Sequence, residues 1–127
     1  MKLFLLADDD KDDAELFEEA LQSIDTPVQF YHVKDSNAVI PFLDKNHDIR
    51  PDLIFLDVNL PQVNGWECLS DLKAHESYAQ IPVVMYSTSS HPKEKSLAAQ
   101  LGASGFLTKP TDFNSLIKML SSIAATE

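Results

Sequence analysis

The chain has 127 residues, 44% hydrophobic and 24% charged, the size and composition of one globular domain, and this excludes a disordered chain. Twenty Asp and Glu against ten Lys and Arg give a net charge of −10; with no basic stripe to displace counterions, nucleic acid is excluded as a partner. The single cysteine, Cys68, rules out an intrachain disulfide and points to a reducing cytoplasm, while the apolar start at Leu3–Ala7 is too short for a signal peptide or a membrane span.

Leu3–Ala7 reads as a first strand. Ala14, Phe17, Ala20, Leu21 and Ile24 follow at helical spacing and predict an amphipathic helix over about 12–24. Val28–Val33 alternates apolar with polar residues, as a half-exposed edge strand does. Asp35 or Ser36 can cap a helix running through about Leu43, with a kink or a late start imposed by Pro41. Leu53–Leu56 is a strand apolar on both faces, and it ends in Asp57. Asn64-Gly65 turns into a helix carrying Trp66, Leu69 and Leu72, and Ile81–Tyr86 is a fourth strand. Pro92 suits the first turn of a helix that ends near Gly102, a good C-terminal cap. Gly105–Thr108 is a short fifth strand, and Thr111 or Asp112 caps a last helix with Phe113, Leu116, Ile117, Leu120 and Ile123 on one face.

Five strands alternating with five helices imply βαβ crossovers and a doubly wound α/β fold, a parallel sheet covered on both faces. All strand C-termini then lie on one edge, where ligands bind. That edge collects Asp8-Asp9-Asp10, Asp57, Ser87-Thr88 and Thr108-Lys109-Pro110. A carboxylate ending a buried strand is costly without a partner. Asp57 is expected to meet Asp8 and Asp9 if the first and third strands are neighbours. Clustered carboxylates repel one another, and a hard divalent cation is the usual remedy. Two carboxylates, a backbone carbonyl just past Asp57 and waters would suit octahedral Mg²⁺. Such a site leaves Asp57 as a nucleophile able to form an aspartyl phosphate, with Lys109 neutralising phosphoryl charge and Ser87 hydrogen-bonding to it.

Taken one at a time, these residues have plainer readings. Asp10, Asp12, Asp13 and Glu15 read as acids that complement the dipole of the first helix. Asp57 alone is a loop cap, Lys109 alone a solvated lysine and Ser87 alone a turn residue. It is their coincidence at the ends of four strands that points to a site. Trp66 and Tyr86 read as packing residues, Cys68 as a small core residue, and His32, His47, His75 and His91 as scattered, without metal-ligand spacing.

The segments LLADDDKDDAELF, PDLIFLDVNLPQVNGWECL, IPVVMYSTSS and GASGFLTKP closely resemble the receiver domains of bacterial two-component response regulators, over about Lys2 to Ala124. The stretch between the third strand and IPVV looks most like small stand-alone regulators paired with phytochrome-type histidine kinases. The resemblance implies a CheY-like, flavodoxin-like (βα)5 fold with strand order 2-1-3-4-5. It implies that Asp57 is the phosphoacceptor and that Asp8 and Asp9 are the acid pair, with Asp9 the more direct metal ligand. Asn59 matches the position whose backbone carbonyl completes Mg²⁺ binding. Ser87 matches the switch hydroxyl, Lys109 the active-site lysine, with a bond to Pro110 that is commonly cis, and Phe106 the switch aromatic. Three positions depart from the usual pattern. Asp10-Lys11 replaces a commoner Asn-Pro, Thr88 is larger than the usual neighbour of the switch hydroxyl, and Phe106 lacks the hydroxyl of the more frequent Tyr.

The function so implied is a cytoplasmic signalling switch, residues 1–127 forming a single receiver domain without an output domain. It would take a phosphoryl group from a sensor histidine kinase or phosphotransfer protein and catalyse no reaction beyond its own phosphorylation and dephosphorylation. Its target protein, or a second copy in a homodimer, would dock on the face made by the fourth helix, fifth strand and fifth helix. Two other classes compete. One is a Mg²⁺-dependent phosphohydrolase using an aspartyl phosphate, of the haloacid-dehalogenase kind. It wants a second acid two residues after the nucleophile, where this chain has Asn59. The other is a phosphate-independent adaptor that uses only the fold.

Overall fold

The structure is a computed structural model and describes residues 1–58 and 64–126. Strand β1 (Lys2–Ala7) leads into helix α1 (Lys11–Gln22), then β2 (Val28–Val33), a 3-10 turn (Ser36–Ala38) and α2 (Val39–Lys45). There follow β3 (Leu53–Asp57), α3 (Gly65–Ala74), β4 (Val83–Ser87), α4 (Pro92–Gln100), β5 (Gly105–Thr108) and α5 (Phe113–Thr126). All strand pairs are parallel, in the order β2-β1-β3-β4-β5. This is the expected flavodoxin-like arrangement, and it places β1 beside β3 with Ala7 opposite Leu56.

Each helix end has a local cause. Asp10 caps α1, its carboxylate accepting the N–H groups of Asp12 and Asp13 at 2.9 and 3.2 Å. Asp35 accepts the N–H of Ala38 at 3.0 Å. Helix α2 starts late, as Pro41 requires: Pro41 falls in the first turn, where its missing N–H would have had no intrahelical acceptor. Asn64 caps α3 through the N–H of Glu67 at 3.0 Å. Helix α4 closes in a Schellman motif: Gly102 has φ +91°, its N–H meets Ala99 O at 3.2 Å, and the Ala103 N–H meets Ala98 O at 2.9 Å.

Alternation along the strands feeds two cores. Phe4, Leu6, Leu53, Phe55, Val84 and Tyr86 point to the α1/α5 side. Leu5, Ala7, Ile54, Leu56, Val83 and Met85 point to the side of α2, α3 and α4. The first core is aromatic: Phe17 of α1 meets Phe55 edge-on at 5.0 Å and Tyr86 at 5.9 Å between centroids, and stacks on Phe30 at 5.5 Å. The second is mostly aliphatic and holds Cys68, whose thiol burial pushes up to about 12, with the charge of Asp71 adding to the effect. That fits the reading of Cys68 as an inert core residue. Among the described residues no helix is long and apolar enough to cross a membrane.

Candidate functional site

Parallel pairing brings the predicted residues to one edge. Asp8 follows the last residue of β1, Asp57 ends β3, Ser87 ends β4, and Lys109 follows β5. Asp8 is 0% and Ser87 1% exposed. The Lys109 ammonium is the hub. Its Nζ donates to Asp57 Oδ2 at 2.9 Å, Asp13 Oδ2 at 3.1 Å and Asp8 Oδ2 at 3.2 Å. It also lies 5.3 Å from the centroid of the Tyr86 ring. Burial disfavours the charged lysine, but the bond to Asp57 and the charges of Asp8 and Asp57 outweigh it and hold Lys109 above the usual lysine range. Tyr86 is a core residue, as read from the sequence, and it also walls this lysine.

Asp8 is tied at four points. Its N–H donates to Val33 O at 3.1 Å, and its carbonyl meets His32 Nε2 at 2.7 Å. Its Oδ1 accepts the Asp10 N–H at 2.9 Å, and its Oδ2 accepts from Lys109. Burial, helped by the neighbouring Asp57 charge, pushes its carboxyl up to about 6 against the lowering effect of the Asp10 N–H and Lys109. Asp9 is exposed, yet ligand oxygens of Asp8, Asp9 and Asp57 all lie within 4.8 Å of one another.

The backbone around Asp57 is pinned from two sides. The Val58 N–H donates to Tyr86 O at 3.1 Å, and the Gly65 N–H donates to Val58 O at 3.2 Å. A Cβ on Gly65 would lie 2.3 Å from the Asp57 carbonyl oxygen, so only glycine allows α3 to start this close to the strand end. On the far side, Ser87 Oγ accepts the Ser89 N–H at 3.0 Å, and Thr108 Oγ1 donates to Ser89 O at 3.2 Å. The Lys109 N–H donates to Ser87 O at 2.6 Å, tying the lysine's backbone to β4. Phe106 is half-buried against the core on the α4 side.

An all-oxygen set of three close carboxylates fits a hard divalent ion better than a soft one. The acids outnumber the one ammonium, so a cation is electrostatically favoured. Asp8 and Asp57 both join the acid cluster to the lysine, and Asp57 makes the shorter bond, 2.9 Å against 3.2 Å; a carboxylate so placed beside an ammonium and a candidate cation site has the surroundings a nucleophile toward phosphorus needs.

Three predicted features need correction and one lies out of view. Asp13 is more than a dipole-complementing acid: from the first turn of α1 its Oδ2 accepts from Lys109 Nζ at 3.1 Å. No described peptide bond is cis, so Lys109–Pro110 is trans, against the resemblance; trans is the intrinsically favoured isomer, by about 0.5–1 kcal/mol. Asn59 lies outside the described residues. His32 was read as a scattered histidine, and the structure joins it to Asp8.

A parallel five-stranded sheet with this order, with a triad of acids and a lysine at its C-terminal edge, is the architecture of a signalling receiver domain. Residues 4–121 match the model of the response regulator receiver domain, and the chain belongs to that family. It is 32% identical to response regulator Rcp1 of Synechocystis sp. over 126 residues, covering 96% of this chain and 86% of Rcp1. The solved Mn²⁺-bound form of Rcp1 superposes with a TM-score of 0.85 at 31% identity, covering 99% of this chain and 94% of that one. The phosphorylated cyanobacterial phytochrome response regulator RcpA superposes with a TM-score of 0.86 at 31% identity, over 96% of this chain and 90% of its own. The chemotaxis protein CheY4 of Vibrio cholerae gives 0.78 at 28% identity, over 97% of this chain and 98% of its own. The match to a receiver family disfavours the phosphohydrolase and adaptor readings.

Proposed function

We propose that Asp57 is the phosphoacceptor of a phosphorelay, and that residues 1–127 act as a single receiver domain through a protein contact. The observation that supports this most is the placement of Asp57, within 2.9 Å of Lys109 and in one oxygen cluster with Asp8 and Asp9. The donor is a phosphohistidine on a sensor histidine kinase or phosphotransfer protein. A carboxylate oxygen of Asp57 attacks phosphorus, the new P–O bond forms as the P–N bond breaks, and the histidine leaves. Lys109 balances the charge on the phosphoryl oxygens, and the Ser87 hydroxyl donates a hydrogen bond to one of them. Asp8, Asp9 and Asp57, with the Asn59 carbonyl, would hold Mg²⁺, which supplies charge neutralisation and alignment of the phosphoryl oxygens. The phosphoryl group adds about two negative charges. Ser87 then turns toward it, Phe106 moves into the space behind β4, and the α4-β5-α5 face changes for a target protein or a second copy. The Mn²⁺-bound form is that of Rcp1 and the phosphorylated form that of RcpA; both support the reading by kinship.

The test is direct labelling. With acetyl phosphate and Mg²⁺ the protein should take up about one phosphoryl group per chain, and Asp57→Asn should reduce this to background while leaving the circular dichroism spectrum unchanged. Labelling that persists on another residue would overturn the assignment.

A further inference from the structure

We propose that His32, on the edge strand β2, is a positioning residue for the divalent-ion site, acting through the backbone of Asp8. This rests on the reading that Asp8 and Asp9 hold the ion. The argument begins with a buried carbonyl. Asp8 is 0% exposed, so water does not reach its backbone oxygen, and an unpartnered carbonyl there would be costly. The partner is His32 Nε2 at 2.7 Å, from a residue 24 positions away. A carbonyl oxygen only accepts, so the proton sits on Nε2 and the ring donates.

That bond fixes more than one atom. The Asp8 carbonyl belongs to the rigid peptide plane that joins Asp8 to Asp9. On one side of Asp8 its N–H is held by Val33 O at 3.1 Å. On the other side, His32 sets the tilt of the plane that leads into Asp9. Both holds come from β2, a strand that contributes no side chain to the acid cluster itself. Asp9 is exposed; the peptide plane after it is held by the Asp10 N–H on Asp8 Oδ1 at 2.9 Å, and the plane before it is the one His32 holds. The position of its carboxylate relative to those of Asp8 and Asp57 therefore depends on this plane. The neighbouring side chains do not duplicate the role. The His32 ring stands in a groove of about 390 Å³ between α1 and β2, beside Lys11, Glu15, Glu18, Lys34 and the body of Phe30. None of these is bonded to the Asp8 carbonyl.

Removing the donor leaves that carbonyl to seek water by turning its plane, which carries Asp9 away from the other two ligands. The expected loss is about five- to tenfold in divalent-ion affinity, the size expected for a lost hydrogen bond to a buried acceptor one step outside the ligands.

The test compares His32→Phe, which keeps a ring and removes the donor, with His32→Gln, whose amide nitrogen lies the same number of bonds from Cβ. The dissociation constants of Mg²⁺ and of Mn²⁺ are measured by calorimetry, and of Mn²⁺ also by electron paramagnetic resonance, without any phosphodonor. His32→Phe should bind five- to tenfold more weakly, and His32→Gln should return to within about twofold of wild type. A merely structural role would lower the melting temperature of both variants and leave the ratio of their affinities near one. Wild-type affinity in a folded His32→Phe protein, equal weakness in both variants, or a wild-type protein that binds neither ion overturns the proposal. Should His32→Phe fail to fold, the wild type still decides: ring ¹⁵N spectra must show the proton of His32 on Nε2, with coupling to the Asp8 carbonyl, and a bare Nε2 overturns it. Failure of the phosphoacceptor reading would appear separately, as absence of label on Asp57 in a protein whose ion binding still depends on His32.

Discussion

Helices α1 and α4 flank the same sheet edge, but they are held very differently. Helix α1 buries Ala14, Phe17, Ala20 and Leu21 and sets Phe17 among the rings of Phe30, Phe55 and Tyr86. Its first turn is tied into the charge cluster through Asp13 and Lys109. Helix α4 buries Ala98, with Glu94 and Leu97 half-buried, and the loop before it is braced by bonds among Ser87, Ser89 and Thr108. A buried Phe or Leu contributes about 1.5–3 kcal/mol, and an Ala much less. One side of the site is a fixed wall and the other is lightly anchored. Moving parts are drawn from the low-stability end of a structure, so the proposed phosphorylation of Asp57 would have a physical reason to act toward α4.

The widest gap should appear on truncation. Phe17→Ala is expected to destabilise by about 3–5 kcal/mol, since it removes a ring at the centre of an aromatic core, whereas Leu97→Ala should lose about 1 kcal/mol or less. Urea denaturation measures both. Equal losses would break the contrast between the wall and the lightly anchored side.

Gly65 comes next. An added methyl would sit 2.3 Å from the Asp57 carbonyl oxygen, so either α3 or the end of β3 must shift. Gly65→Ala should lower stability by about 1–3 kcal/mol and slow phosphorylation from acetyl phosphate several-fold. A variant with normal kinetics would show that the strand end is not held by this approach.

The charge cluster on the wall side makes a prediction in pH. The Asp8 carboxyl is raised from 3.8 to about 6 in the folded protein, chiefly by burial. The folded state therefore binds the Asp8 proton more tightly than the unfolded chain, and stability falls as pH rises through roughly that window. Without divalent ions, the protein should be more stable at pH 5 than at pH 7 by on the order of 1 kcal/mol. Lys109, raised in the opposite class, titrates far above this range and does not contribute to it. Asp8→Asn should flatten the profile between pH 5 and 7; melting curves in chelator decide, and an unchanged slope in the variant would assign the effect to other groups.

The smallest effect tests the lightly anchored side. Ser87→Ala removes the acceptor of the Ser89 N–H and should lose about 1 kcal/mol or less. It should still take label on Asp57, while the phosphorylation-dependent amide shifts over 92–124 shrink. Full wild-type shifts in the variant would mean that Ser87 does not link the two sides.

Much of this is legible in the amino-acid sequence. Short apolar runs alternating with helical spacing define the sheet, and parallel strands gather their C-terminal residues, so Asp8, Asp57, Ser87 and Lys109 could be named together. Caps at Asp35 or Ser36, at Thr111 or Asp112 and at Gly102 were legible because they depend on neighbours within a few residues, and the structure shows Asp35 and Asp112 accepting the backbone N–H groups. What stayed hidden depends on long-range register. Asp13 belongs to the cluster only because β5's loop brings Lys109 back over α1, 96 residues later. His32 matters only because β2 pairs with β1 at a register of Leu6 to His32, which places its ring beside the next residues of β1. In the sequence both look like ordinary surface residues. A signal existed for Asp13, three residues past the Asp10 cap and so on the turn facing the edge, but the same spacing serves any helix start.

Helix α4 has two hard stops. Pro92 begins it without an N–H, and Gly102 ends it in a left-handed conformation that other residues rarely adopt. It can neither wind up a further turn nor shed one cheaply, so a push at one end must emerge at the other. Nine residues make a lever about 14 Å long, and a tilt of ~10° about its Pro92 end swings the Gln100 end by roughly 2 Å. If Ser87 links phosphorylation to α4 as proposed, a small rotation beside Ser87 would become, at the far end of the helix, a displacement large enough for a docked protein to register.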